Sequence, residues 1–246
     1  MSLDDGRAIF AGRINDSFRM LVGAPGKEPS NFVQTDEATG GPMTLVAGNR
    51  VALLAGQLAT SPEIAIVAVD TGRILKRFAT GAPAPITGLG ASPDGRQLYY
   101  ASKGSIYAIP ADGGPARQIG AGDSLAVDPD TGDIIVKLDE QDGFKIARFP
   151  ASGGPARTIE MKGDFQLVPE PLAAMSIRKG RLAIVGGSAD SWYWFPATLD
   201  LASGRLERMK VNYDTDFHFT AWTSDGHIIA AAAGMEATMW KFEKVK

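Results

Sequence analysis

The chain has 246 residues, 44% of them hydrophobic and 22% charged, which is enough apolar content to bury a core; its net charge of −3 is too weak and of the wrong sign to gather a phosphate backbone. It contains no cysteine, which excludes disulfides, thiolate metal sites and a cysteine nucleophile, and it has no run of about 18 apolar residues that would insert into a membrane. The N-terminus lacks the basic and apolar regions of a signal peptide, and Met1-Ser2-Leu3 reads as an expression scar on a domain excised from a longer protein.

From the N-terminus onward one pattern recurs, a glycine turn followed by a short apolar strand. Asp5-Gly6-Arg7 precedes Ala8-Ile9-Phe10-Ala11, and Gly48-Asn49-Arg50 precedes Val51-Ala52-Leu53-Leu54. Asp94-Gly95-Arg96 precedes Gln97-Leu98-Tyr99-Tyr100, and Thr131-Gly132-Asp133 precedes Ile134-Ile135-Val136. Lys179-Gly180-Arg181 precedes Leu182-Ala183-Ile184-Val185, and Asp225-Gly226-His227 precedes Ile228-Ile229-Ala230. The six copies lie 37 to 48 residues apart, close to the period of four-stranded propeller blades, about 40–50 residues. A second glycine turn follows most copies, at Gly26, Gly72, Gly113, Gly153 and Gly204. Pro110-Ala111-Asp112-Gly113-Gly114-Pro115-Ala116-Arg117 is nearly repeated as Pro150-Ala151-Ser152-Gly153-Gly154-Pro155-Ala156-Arg157.

Each repeat reads as four short strands joined by turns; in the third they fall near 86–91, 97–101, 105–109 and 116–119. The apolar runs are nearly continuous rather than alternating, as in strands covered on both faces. Helical periodicity is almost absent, and its best candidate, 171–177, lies where the fifth repeat's first strand is due. The first repeat lacks a first strand, and the last ends on its third, at Trp240-Lys241-Phe242. The pattern predicts an all-β, six-bladed β-propeller of short four-stranded antiparallel blades with incomplete terminal blades, one domain over residues 1–246.

Ser92-Pro93-Asp94-Gly95-Arg96-Gln97-Leu98-Tyr99-Tyr100-Ala101, then Ser105-Ile106-Tyr107-Ala108-Ile109, then Gly113-Gly114-Pro115-Ala116-Arg117-Gln118-Ile119 resembles the bacterial TolB-type, WD-repeat-like propeller repeat. The third, fourth and sixth repeats are good copies; Gly48-Asn49 and Lys179-Gly180 depart from Asp-Gly in the second and fifth. The resemblance implies a recognition, sensing or gating part, as in envelope complexes, receptor-like serine/threonine kinases, transcriptional regulators and the caps of prolyl-oligopeptidase-like peptidases. A periplasmic or extracytoplasmic setting is favoured slightly over a cytoplasmic one.

Two segments are candidates for contact. Ser191-Trp192-Tyr193-Trp194-Phe195 places four aromatics in a row, which either fill the wedge between blades or are presented by the loop Gly186-Gly187-Ser188-Ala189-Asp190. Asp214, Asp216 and His218 share one face at strand period two and suit a cation or a cationic ligand; the alternative is a polar loop with one satisfied histidine. His227 reads as an exposed turn residue, and Asp123, Asp164 and Glu170 as solubilising loop ends. No nucleophile elbow, P-loop or dinucleotide fingerprint occurs, so no catalytic residue, metal ligand or cofactor is assigned.

The expected function is a non-catalytic ligand- or protein-binding module of a larger bacterial protein, a receptor-like kinase being one setting. A protein or peptide partner comes before a small ligand, and nucleic acid is not expected. The alternative is a metal-dependent hydrolase or lactonase of the six-bladed type, which needs carboxylates from several blades on one ion.

Overall fold

The six leading glycines all carry the turn conformation that their spacing predicts. Gly6, Gly48, Gly95, Gly132, Gly180 and Gly226 have φ between 65° and 90°, a region where a Cβ costs roughly 1–2 kcal/mol. A computed structural model describes residues 1–14, 17–56 and 62–233. The first sheet holds β1 (Ala8–Ile14), β2 (Ser17–Gly23) and β3 (Ser30–Asn31). The second holds β4 (Thr39–Val46), β5 (Arg50–Ala55), β6 (Glu63–Ala68) and β7 (Ile74–Ala79). The third holds β8 (Ile86–Ala91), β9 (Gln97–Ser102), β10 (Ser105–Pro110) and β11 (Arg117–Ala121). The fourth holds β12 (Ser124–Val127), β13 (Ile134–Glu140), β14 (Gly143–Phe149) and β15 (Arg157–Ile159). The fifth holds β16 (Gln166–Leu167), β17 (Ile177–Arg178), β18 (Arg181–Gly187), β19 (Phe195–Asp200) and β20 (Leu206–Arg208). Of the sixth, β21 (Asp216–Trp222) and β22 (Ile228–Ala233) are described. Every pairing between these strands is antiparallel. There is no helix among the described residues, hence none long and apolar enough to cross a membrane. The third strand expected at Trp240-Lys241-Phe242 lies outside the described residues.

The near-continuous apolar runs are buried on both faces. In β5, Val51, Leu53 and Ala55 pack against Ile9, Met20, Phe32 and Val33 of the first sheet. The alternate residues Ala52 and Leu54 pack against Leu89, Leu98 and Tyr100 of the third. The same sharing continues between sheets three and four and between four and five. Burial falls toward the outer edge: β7 and β11 are largely exposed and carry Lys76, Arg77, Arg117 and Gln118. Charged outer edges of this kind blunt strand-to-strand association.

Neighbouring sheets are also clasped through backbone. The Gly72 turn of the second sheet accepts the Gln34 N–H at 2.9 Å, and the Gly204 turn of the fifth accepts Lys162 N–H at 2.8 Å. At both turns a Cβ would stand 1.9 Å from a carbonyl oxygen, that of Phe32 or of Glu160. Only glycine permits so close an approach.

The first sheet has three strands, an incomplete terminal blade as the repeats predict; ahead of β1, Ser2 bridges Ala8, Leu3 N–H donates to Arg7 carbonyl at 2.8 Å, and Ile9 N–H donates to Met1 carbonyl at 2.8 Å. Ser2 and Leu3 are buried there, so Met1-Ser2-Leu3 is part of the packed structure. Residues 171–177 are not helical. β16 and β17 both pair with β18 and are two ends of one inner strand. From Gln166 to Ile177 that strand advances 11 residues while its partner advances 5, from Gly187 to Leu182, an excess of six. Pro169 and Pro171 have no N–H to give the ladder, so the excess leaves the sheet as a bulge rather than a slipped register.

The inner strands end around one axial cavity of about 700 Å³, to which every sheet and residues 3–5 contribute.

Candidate functional site

The bulge of residues 168–176 meets side chains from the sheets on either side of it. From the fourth sheet, Lys137 Nζ donates to the carbonyls of Val168 (2.9 Å) and Glu170 (3.0 Å). Ser124 Oγ accepts the Leu172 N–H at 3.0 Å. From the sixth, His218 Nδ1 stands 2.7 Å from Glu170 Oε1, and Trp222 N–H donates to Met175 carbonyl at 2.9 Å. The segment therefore lies in front of the fifth sheet and ties the fourth to the sixth.

Lys137 is an unusual support. Its side chain is 3% exposed, with Asp139 Oδ1 at 3.3 Å and the Phe144 ring centroid at 3.9 Å. Burial pulls its pKa below the ordinary lysine value, while Asp139, Glu170 and Asp123 oppose that shift. Two carbonyls, a carboxylate and an aromatic face replace the water an ammonium would hold.

Above this base two loops stand side by side on the rim, residues 188–194 between β18 and β19 and residues 209–215 between β20 and β21. They are stitched together at their roots. Asp216 Oδ1 accepts the Trp194 N–H at 2.8 Å, and Trp194 carbonyl accepts Phe217 N–H at 3.2 Å. The Trp194 and His218 rings meet edge to face with centroids 5.6 Å apart. The contact between the Glu170 carboxylate and His218 Nδ1 orients the imidazole ring against Trp194. Within the first loop, Ser191 Oγ donates to Tyr193 carbonyl at 2.7 Å, and Ser188 bonds the Asp190 carboxylate, which lies below its ordinary pKa for that reason.

The structure thus brings together Trp194, Asp216 and His218, with Trp192, Tyr193 and Asp214 on the same two loops. The four aromatics do not alternate across one strand. Phe195 is buried at the start of β19, Trp194 and Tyr193 are partly buried in the loop, and Trp192 is 97% exposed. Asp214 is exposed ahead of β21 and does not join Asp216 and His218 in a shared ligand set; Asp216 holds a backbone N–H and His218 holds Glu170. Among the described residues no three His, Asp or Glu side chains gather as a metal centre. His227 is an exposed turn residue, 79% accessible, paired with Asp225 at 3.0 Å.

Sequence reasoning missed four contributors. Glu170, expected as a solubilising loop end, is instead 15% exposed and bonds His218 from a segment 48 residues away. Lys137 reads as an ordinary strand lysine, and only its neighbours reveal its role. Tyr213, exposed beside Asp214, sits in a polar stretch with no strand pattern. Phe219 has φ +46° at a bulge in β21, where Phe219 and Thr220 oppose Ala230 alone, and the bulge turns its ring outward.

Antiparallel sheets stacked around an axial cavity, each lending an inner strand to it, make the chain a β-propeller. Its fold is that of the TolB-type propeller. TolB from Acinetobacter baumannii is similar at 16% identity and a TM-score of 0.62, over 92% of this chain and 61% of that one. A protein described as TolB from Agrobacterium tumefaciens is similar at 16% identity and a TM-score of 0.63, over 89% and 86% of the two chains. A propeller in a nidogen–laminin complex is similar at 16% identity and a TM-score of 0.59, over 84% and 75%. The chain therefore spans less than two thirds of the Acinetobacter protein. No protein-family model matches the sequence, and no curated protein matches it.

Proposed function

We propose that this chain is a non-catalytic protein-binding propeller, the interaction domain of a larger bacterial protein, and that its partner docks on the rim built by residues 188–194 and 209–215. The observation that carries the reading is Trp192. Its indole stands 97% exposed on a loop whose root is pinned by Trp194, Asp216, His218 and Glu170. An exposed indole on a rigid base is what an interface anchor requires: large apolar area and little conformational entropy left to lose. Tyr213 adds a second exposed aromatic on the adjoining loop, with Asp190 and Asp214 as polar rim. The nidogen propeller, solved in complex with laminin, supports the same use of this fold.

Photo-crosslinking tests the reading. A photoreactive residue placed at position 192 in the source cell is expected to give one discrete protein adduct, and the same residue at position 103, in the β9–β10 turn two sheets away, none. An adduct from 103 with none from 192 overturns the assignment.

A further inference from the structure

The axial cavity opens at the mouth opposite the Trp192 rim, where the inner strands end. Its wall includes Val46, Ala91 and Val127, the last residues of β4, β8 and β12. Ala174 and Met175 of the bulge and Trp222 of β21 continue the apolar lining. At about 700 Å³ it lies within the range of small-ligand sites, roughly 300–1,000 Å³.

Its charges are divided by side. Asp4, Asp5 and Arg7 of the first sheet and Asp70 of the second line one wall. Arg7 is taken up by Asp5, with N–O distances of 2.6–2.7 Å, and that pairing holds the Asp5 carboxyl below its ordinary pKa. Asp70 accepts Asn49 Nδ2 at 2.8 Å and lies in the field of Arg7. Among the described residues no cation lies within ion-pair distance of Asp4 or Asp70. Arg178 of the fifth sheet, across the axis from the second, lines the other wall. It donates to Ser224 carbonyl at 2.8 Å and has no carboxylate partner among the described residues, so most of its donors remain available. A wall carrying three carboxylates and one guanidinium, Arg7, which pairs with Asp5 and lies in the field of Asp70, thus stands across an apolar floor from Arg178.

We infer that this cavity binds a short peptide free at both ends, its C-terminal carboxylate on Arg178, its ammonium on Asp4 and Asp70, and its apolar side chains on the floor. A guanidinium fork matches a carboxylate in two parallel hydrogen bonds, whereas a carboxylate pair suits a compact ammonium. A neutral apolar ligand would leave both charged walls without partners, and a dianion or dication would meet a like charge at one end.

Calorimetric titration of the whole chain with the tripeptide Ala-Leu-Ala tests this, alongside its N-acetyl and C-amide forms. The free tripeptide is expected to bind saturably at one site, and capping either end to weaken binding at least tenfold. In Arg178→Gln the free acid and the amide should bind equally while the acetyl penalty persists; Asp70→Asn combined with Asp4→Asn should reverse that pattern. Trp192→Ala should leave the titration unchanged, which separates this site from the rim. No saturable binding of the free tripeptide at millimolar concentration overturns the inference, as does equal binding of all three peptides. Because the capped peptides are read on the unaltered protein, the test stands even where a variant fails to fold.

Discussion

The fourth and fifth sheets are adjacent, are built from the same repeat, and differ in the course of the inner strand. In the fourth, β12 runs unbroken beside β13 with Ser124 opposite Lys137 and Val127 opposite Ile134. In the fifth, the corresponding strand parts after Leu167, detours through six extra residues and rejoins at Ile177. The fourth sheet spends its inner strand on packing, and its side chains fill two interfaces. The fifth gives up ladder hydrogen bonds, yet the bulge recovers partners from Lys137, Ser124, His218 and Trp222. A repeat architecture departs from its rule where a neighbour can satisfy the departing backbone. Here that exception underlies the rim and floors the cavity.

The sharpest contrast between the two sheets is at their outer turns. Gly153 of the fourth, at φ +83°, would place a Cβ in open space, whereas Gly204 of the fifth would drive one to 1.9 Å from the Glu160 carbonyl. Gly153→Ala is expected to cost about 1–2 kcal/mol, the left-handed penalty alone. Gly204→Ala should lose well over that, about 3 kcal/mol or more, or fail to fold, because backbone must move. Urea denaturation of both variants decides it; equal losses would mean the clasp to Lys162 is not a constraint.

Lys137 comes next. Lys137→Met removes the donor to two buried carbonyls and is expected to cost about 1–3 kcal/mol. The same residue should leave a pH signature. Its folded pKa lies below the unfolded value of about 10.4, so between the two the unfolded chain keeps a proton that the folded chain has released. Stability contributed by this group therefore rises with pH through that window and is lowest below it. Melts from pH 8 to 10.5 should show the rise in the parent and not in Lys137→Met.

Glu170→Gln keeps the shape and removes the charge that orients His218. A loss of about 1–2 kcal/mol is expected, with a change in fluorescence from Trp194, whose ring stands against His218. An unaltered spectrum and melt would detach the bulge from the rim. The smallest effect on folding belongs to Trp192→Ala. An almost fully exposed side chain should change stability by less than about 0.5 kcal/mol, while co-purification of the partner identified by crosslinking is lost. A large destabilisation would mean that the indole is structural.

What could be read in advance follows the physics of each feature. Turn glycines are local, and all eleven that mark the repeats adopt positive φ. The double-faced burial of β5 and β13 was likewise visible as unbroken apolar runs. The inner strand of the fifth sheet was hidden because Pro169 and Pro171 erase the strand pattern, and the run Leu172-Ala173-Ala174-Met175 that follows them imitates a helix. Three residues, Met1-Ser2-Leu3, are too few to show any period. Trp192, Asp216 and His218 were apparent from residue type, but Glu170 stands 48 residues from His218, and Lys137 33 from Glu170. Such partners are set by tertiary placement, which no local pattern encodes.

The bulge has one more property. Glu170, at its start, supports the rim, and Met175, five residues on, forms floor for the opposite mouth. A single stretch of backbone is thus common property of both openings. Whatever factor an occupant of the cavity imposes on affinity at the rim, an occupant of the rim must return to the cavity undiminished, since binding linkage has no preferred direction. The six surplus residues turn two ends of a ring into the two arms of one balance.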